Sequence, residues 1–138
     1  METESLVIPA TYAALRVPAE RLRKMMLAAG IPEATIGECE LAQQELLTNL
    51  VDHAYNGDDR KMITVRFLLE TDSLTIETVD FGQRAHVDLD EVHMPDPDSL
   101  AEGGYGMALI KAVMNSVEYE SRGRRNTWRL VKHFQTSP

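Results

Sequence analysis

Glu45, Asn49 and His53 recur every fourth residue within the stretch from Glu40 to Tyr55. On a helix, residues at i and i+4 are neighbours on one face, so this spacing presents a carboxylate, a carboxamide and an imidazole as one polar stripe. Leu46, Leu50 and Ala54 repeat at the same interval, with Leu47 and Val51 beside them, so an apolar stripe can face a core. An Asn oxygen with acids nearby suits Mg²⁺, which prefers oxygen ligands and is commonly shared with substrate phosphates. Asp80 closes a strand-like run and is followed by Phe81 and Gly82; there it can receive the exocyclic amino group of a base such as adenine without obstruction. Gly103-Gly104-Tyr105-Gly106 precedes an apolar helical run. Glycines in that position let backbone N–H groups approach phosphates, and the helix start adds partial positive charge. Each feature alone also has an ordinary structural explanation, so their weight lies in converging on one ligand.

The elements that must position these residues follow from periodicity. Leu6-Val7-Ile8, stopped by Pro9, predicts a short edge strand. A helix is predicted from Pro18 to Ala29, with Leu22, Met25 and Met26 at core spacing and Gly30 as its stop; Met25, Met26 and Leu27 read as core or subunit interface. Pro32 and Glu33 open the second helix, which carries the polar stripe and ends at Asn56-Gly57; Gly37 weakens its first turns. Lys61 to Glu70 and Leu74 to Asp80 predict an antiparallel hairpin across Thr71-Asp72-Ser73, with Leu74, Ile76, Thr78 and Asp80 on one face. Phe81 to Gly104 has no period and contains Pro95 and Pro97, which marks a functional or mobile connection. A third helix begins near Met107, and strands Val117 to Ser121 and Thr127 to Phe134 finish the chain across Arg122 to Asn126. The order strand, helices, two strands, helix, two strands predicts an α+β fold: a two-layer α/β sandwich with a mostly antiparallel sheet, helices on one face, and residues 1–138 as one domain.

Composition limits the function classes. With 138 residues, 43% hydrophobic and 26% charged, the chain has the make-up of a globular domain with a real core. No apolar run approaches the roughly 20 residues of a membrane span, and Met1-Glu-Thr-Glu-Ser lacks the features of a signal peptide, so the expectation is a cytoplasmic protein without membrane contact. Cys39 is the single cysteine and excludes an internal disulfide or a cysteine metal cluster. A net charge of −8 argues against direct nucleic-acid binding, which relies on cations meeting phosphates. Arg122, Arg124, Arg125, Arg129 and Lys132 near the C-terminus read as a solvated hairpin edge. Trp128 reads as a core or interface aromatic, and His53 as a helix-terminal packing or capping residue.

Two motif readings fail on context. Asp80-Phe81-Gly82 spells the metal-binding signature of eukaryotic-type protein kinases, but the His-Arg-Asp loop, strand lysine and glycine loop of that fold are missing. The glycine cluster follows an irregular loop rather than a strand, so it is no dinucleotide fingerprint, and a Walker lysine is absent.

Taken together, Glu45-Leu-Leu-Thr-Asn49-Leu-Val-Asp-His53-Ala-Tyr resembles the N box of the GHKL (Bergerat-fold) ATPase superfamily, in wording closest to bacterial anti-sigma-factor serine kinases. Asp80-Phe81-Gly82 is similar to the first glycine box of that family, and Gly103 to Ile110 to the second. The resemblance implies ATP and Mg²⁺ as cofactors and a role for each matched residue. Glu45 matches the general base for a substrate hydroxyl, and Asn49 the Mg²⁺ ligand. Asp80 matches the aspartate that bonds adenine, with Gly82 leaving room for the base and Thr127 supporting it through water. Gly104, Tyr105, Gly106 and Met107 match the loop that wraps the phosphates, and Phe81 to Glu102 the ATP lid. Arg84 departs from the pattern, standing where a fuller first glycine box has a second glycine. The implied function is an anti-sigma-factor serine/threonine kinase, a homodimer that sequesters a sigma factor and phosphorylates an antagonist of the STAS-domain type. The alternative is a partner-switching module that binds ATP without phosphoryl transfer.

Overall fold

Alternating burial along the strands divides the sheet into a dry face and a wet one. In the computed structural model, which describes residues 1–55, 60–85, 89–90 and 105–135 and only the backbone of Tyr105, five strands form one sheet. They are β1 Glu2–Pro9, β2 Met62–Leu69, β3 Ser73–Asp80, β4 Ser116–Arg122 and β5 Arg125–His133. The sheet order is β1-β2-β3-β5-β4 and every pairing is antiparallel. Three α-helices, α1 Arg16–Ala28, α2 Glu33–Asn49 and α3 Tyr105–Val113, cover one face, and a 3₁₀ turn at Ala13–Leu15 links β1 to α1. The architecture is the expected α+β sandwich.

The core lies between the two layers. Ile63, Val65 and Phe67 of β2, Leu74 and Ile76 of β3 and Leu130 of β5 meet Leu22 and Met26 of α1, Ile36, Leu46 and Leu47 of α2 and Ile110 of α3 in one cluster. Fully burying a side chain such as Phe67 contributes about 1.5–3 kcal/mol relative to leaving it exposed, and this cluster holds many of them. The spacing of Leu46, Leu47 and Leu50 thus fixes how α2 is turned on the sheet. Glu45 and Asn49, on the neighbouring stripe, are half-buried at the layer's margin.

Several boundaries differ from expectation. β1 is the predicted edge strand but is longer, because it pairs with β2 along its whole length from Glu2 opposite Leu69 to Pro9 opposite Met62. The last two strands are joined by a tight turn at Gly123-Arg124, where Gly123 has φ +62°, instead of the longer loop read from the arginine run. Met25 and Met26 are core residues as expected, whereas Leu27 is exposed. Gly37 does not interrupt α2. That helix ends by widening into a π-helical turn, Leu50–Ala54, closed by the Tyr55 N–H bonding the Leu50 carbonyl at 3.3 Å. Asn56, Gly57, most of the 81–104 connection and Gly103-Gly104 lie outside the described residues.

The opposite face of the sheet has a different character. Arg66, Glu77, Arg129 and Glu118 form a ladder of alternating charge across β2, β3, β5 and β4, at 3.2, 2.8 and 3.5 Å. Val7, Met62 and Phe81 are exposed by 63, 47 and 63% respectively, and Val7 and Met62 share that outer side with the ladder.

Candidate functional site

At the end of β3 the sheet register places Asp80 opposite Asn126 of β5, both facing the helices. Asp80 has no exposed surface, yet its carboxylate is only half satisfied. Oδ1 accepts from the Asn126 side-chain amide at 2.9 Å and from the Gly82 N–H at 2.9 Å, while Oδ2 is buried without a partner among the described residues. Burial pushes the Asp80 carboxyl above the ordinary carboxylate range, against the lowering effect of those two hydrogen bonds. A buried acceptor with no donor is energetically unfavourable, so this atom favours a ligand that brings an N–H.

Asn126 holds that carboxylate in place and is itself fully engaged. Its amide donates to Asp80 and, at 3.0 Å, to the Gly82 carbonyl. Its carbonyl oxygen accepts from Ser121 Oγ at 2.8 Å and Tyr119 Oη at 3.2 Å. Tyr119 Oη in turn accepts from the Ala85 N–H at 2.9 Å, and its ring lies 4.5 Å from that of Trp128, centroid to centroid. The resemblance assigned the supporting role to Thr127, and the register corrects this. Thr127 pairs with Val79, so its side chain points to the outer face, one residue out of phase with Asp80. The resemblance, which extends to Asn126-Thr127 on the closing strand, implies no role for Asn126. Counting back along β5 from buried Trp128 in steps of two would have found it.

Gly82 also acquires a different reason. A Cβ at this position would lie 2.7 Å from the Ala54 carbonyl carbon and 2.8 Å from the Ala54 Cβ. The glycine therefore leaves room for the end of the α2 helical segment. This close approach lets the Gln83 N–H bond the Ala54 carbonyl at 2.7 Å, satisfying one of the carbonyls a helix end leaves free. Tyr55 ties the same corner together: its hydroxyl donates to the Met62 carbonyl at 2.9 Å and accepts from the Phe81 N–H at 2.8 Å, and burial raises its pKa.

Above Asp80 opens a cavity of about 380 Å³ lined by Asn49, His53, Arg84, Gly106, Met107 and Trp128 among others. Gly106 closes its far side against the polar stripe of α2, since a Cβ there would stand 3.0 Å from Glu45 Oε2 and 3.1 Å from Asn49 Nδ2. Asn49, Asp80, Gly106 and Met107 thus line one space, whereas Glu45 is not among its lining residues and stands beside Gly106. His53 lines the cavity wall beyond Asn49 instead of serving only to finish the helix. Gly104 and the Tyr105 side chain lie outside the described residues. Trp128 is core, as expected, and also forms part of the cavity wall. Cys39 is buried and its thiol is pushed up to about 12 by burial, so it is chemically inert packing.

The donor set fits a purine nucleotide: an unmet acceptor at the floor, apolar walls, and polar groups at the mouth. It fits Mg²⁺ only in company with such a ligand. No cluster of three or more His, Cys, Asp or Glu among the described residues could hold a metal alone, and Mg²⁺ is commonly bound through one or two protein oxygens plus phosphates.

Sandwich and cavity together define an α+β domain with a ligand-sized cleft at the end of β3. The family of the histidine kinase-like ATPase domain matches residues 8–132, and the chain belongs to it. Its relatives include the serine-protein kinase RsbW of Oceanobacillus iheyensis, 31% identical over 101 residues that cover 67% of this chain and 63% of the relative. RsbW of Bacillus velezensis is 29% identical over 125 residues, covering 80% of this chain and 78% of that protein. Among solved structures, the RsbU and RsbW domains of a Mycobacterium tuberculosis protein superpose with a TM-score of 0.70 at 19% identity, covering 100% of this chain and 35% of the other. A chain of the SiaB-SiaC complex from Pseudomonas aeruginosa gives 0.66 at 14% identity, covering 95% and 89%. The two structural likenesses carry the fold. No helix among the described residues is long and apolar enough to cross a membrane.

Proposed function

We propose that this chain is an anti-sigma-factor serine/threonine protein kinase that binds Mg-ATP and phosphorylates a STAS-type antagonist. The observation that carries the reading is the unpartnered, buried Asp80 Oδ2 beneath a cavity whose opposite wall brings Gly106 against Glu45 and Asn49. RsbW relatives named as serine-protein kinases support the choice of acceptor.

Each residue then has a task. Asp80 Oδ2 accepts the amino N–H of adenine, and Asn126 keeps the carboxylate oriented. Asn49 would hold Mg²⁺ through its carboxamide oxygen, and the ion would supply charge neutralisation at the phosphates of the substrate ATP. Gly104, Tyr105, Gly106 and Met107 hold the phosphates, the last three from the first turn of α3. Glu45 accepts the proton of the attacking serine hydroxyl as the terminal phosphoryl group passes to that oxygen and ADP leaves. Most of the rate then comes from alignment and charge stabilisation.

Residues 1–138 act as one domain in the cytoplasm, sequestering a sigma factor and exchanging it for the antagonist. The homodimer forms through the outer face of the sheet, where Val7 and Met62 are exposed; sedimentation of the chain as a monomer at micromolar concentration would refute this.

The decisive test is Glu45→Gln. Incubation with Mg-ATP and a STAS-domain antagonist should yield phosphoserine with the native chain. The variant should bind ADP within about threefold of native, while transfer falls by roughly 100-fold or more, the scale of a lost general base. Tight nucleotide binding with no transfer to any antagonist by the native chain would instead favour the non-catalytic partner-switching module.

A further inference from the structure

The cavity is electrically lopsided. Its floor carries the Asp80 carboxylate, and the helix along its wall belongs to a stretch, residues 33–59, that contains no lysine or arginine. In a chain of net charge −8, an anionic ligand entering here meets Glu45 at the margin and needs a compensating cation. Among the described residues that line the cavity, Arg84 is the one with a permanent positive charge. Among the described residues it is matched to no carboxylate, whereas Arg21, Arg23, Arg66, Arg122, Arg129 and Lys132 all are.

The backbone around Arg84 is tethered on both sides. The Gly82 N–H is held by Asp80 Oδ1 at 2.9 Å and the Gly82 carbonyl by the Asn126 amide at 3.0 Å. The Gln83 N–H is held by the Ala54 carbonyl at 2.7 Å, and the Ala85 N–H by Tyr119 Oη at 2.9 Å. The guanidinium thus leaves an anchored backbone, so pairing with a ligand has only the side-chain rotamers left to order.

We propose that Arg84 is a nucleotide-binding residue that pairs with the phosphate groups of the ligand, supplying in this chain a cationic contact at the start of the connection that follows β3. The inference rests on the nucleotide reading above and adds to it a specific electrostatic contact. Arg84 thereby favours nucleoside di- and triphosphates over the nucleoside, by attraction that adding salt weakens.

Calorimetric titration of the full chain with Mg-ADP and, separately, with adenosine tests it, using the native protein, R84Q and R84K. R84Q should weaken ADP binding by about tenfold or more, the range for a charge-assisted hydrogen bond, and leave adenosine within about twofold. R84K should recover part of the loss, and the salt dependence of ADP binding should flatten in R84Q. Unchanged ADP affinity in R84Q would overturn the proposal, as would equal losses for ADP and adenosine. If the native chain binds neither ligand, the nucleotide reading fails and this inference with it. If the native chain and R84Q bind both ligands alike, only the role of Arg84 is lost.

Discussion

Asp80 and Glu77 sit three residues apart on β3, and their different surroundings show how one strand can carry both a ligand site and a structural ion pair. Glu77 faces outward, half-buried, with Arg66 at 3.2 Å and Arg129 at 2.8 Å. Its charge is compensated twice over, and such partly exposed pairs contribute about 0–1 kcal/mol each. Asp80 faces inward with no exposed surface and, among the described residues, no cation paired with it and one oxygen left without a donor. Burial strengthens every interaction the group makes and raises the cost of any it lacks. The same functional group is thus saturated on one side of the sheet and ligand-seeking on the other. Pairing and burial, rather than residue type, separate the two.

The largest effect should come from removing the unmet acceptor. Asp80→Asn keeps an oxygen for Asn126 and Gly82 but points an N–H where the ligand brings its own, so Mg-ADP affinity should fall by roughly 100-fold or more in calorimetry. Retained ADP binding in that variant would collapse the contrast between the two carboxylates.

Next is the packing that shapes the inner corner. Gly82→Ala drives a methyl group into the Ala54 backbone and should destabilise the protein by about 1–3 kcal/mol in urea unfolding, with loss of ADP binding as the loop shifts. An unchanged unfolding midpoint would mean that the loop is not held where Gln83 meets Ala54.

A third effect is smaller and depends on pH. An ionised Asp80 accepts from adenine, whereas a protonated one places its own hydrogen in the way. ADP affinity should therefore decline as pH falls through the raised Asp80 pKa, earlier than an ordinary aspartate would give. For stability of the ligand-free protein the sign is opposite. The folded pKa lies above the unfolded value, so the group adds stability below the unfolded pKa, and that contribution is lost as pH rises through the folded one. Bound nucleotide offsets part of that loss, which thermal unfolding with and without ADP across acidic pH would register.

The smallest effect belongs to the outer face. Glu77→Gln should change unfolding free energy by no more than about 1 kcal/mol and ADP affinity by less than about twofold, because solvent replaces what the arginines lose. A large loss of ADP binding there would show that the two faces of β3 are coupled.

Much of this molecule was legible before any coordinates. Period-four apolar residues in 40–55 define which side of α2 is buried, so the exposure of Glu45 and Asn49 follows from local pattern alone. Alternation from Leu74 to Asp80 likewise puts Asp80 on the inner face at a strand end, where it was expected. Composition and spacing were enough for these because helix and strand periods are local properties of the backbone. The helix end was less legible, since the π-helical turn at Leu50–Ala54 depends on the Ala54 carbonyl meeting Gln83 from a distant segment.

What only the tertiary structure decided is which residues meet. Asn126, not Thr127, supports Asp80 because the pairing of β3 with β5 aligns 80 with 126, and a shift of one residue would have reversed the choice. Gly82 is needed against Ala54, a contact between parts of the chain that no local spacing specifies. That Arg84 lines the cavity, matched to no carboxylate among the described residues, follows only from where the described carboxylates sit. Local sequence sets the faces each element presents; long-range register and packing, settled by the whole core at once, determine which faces come together.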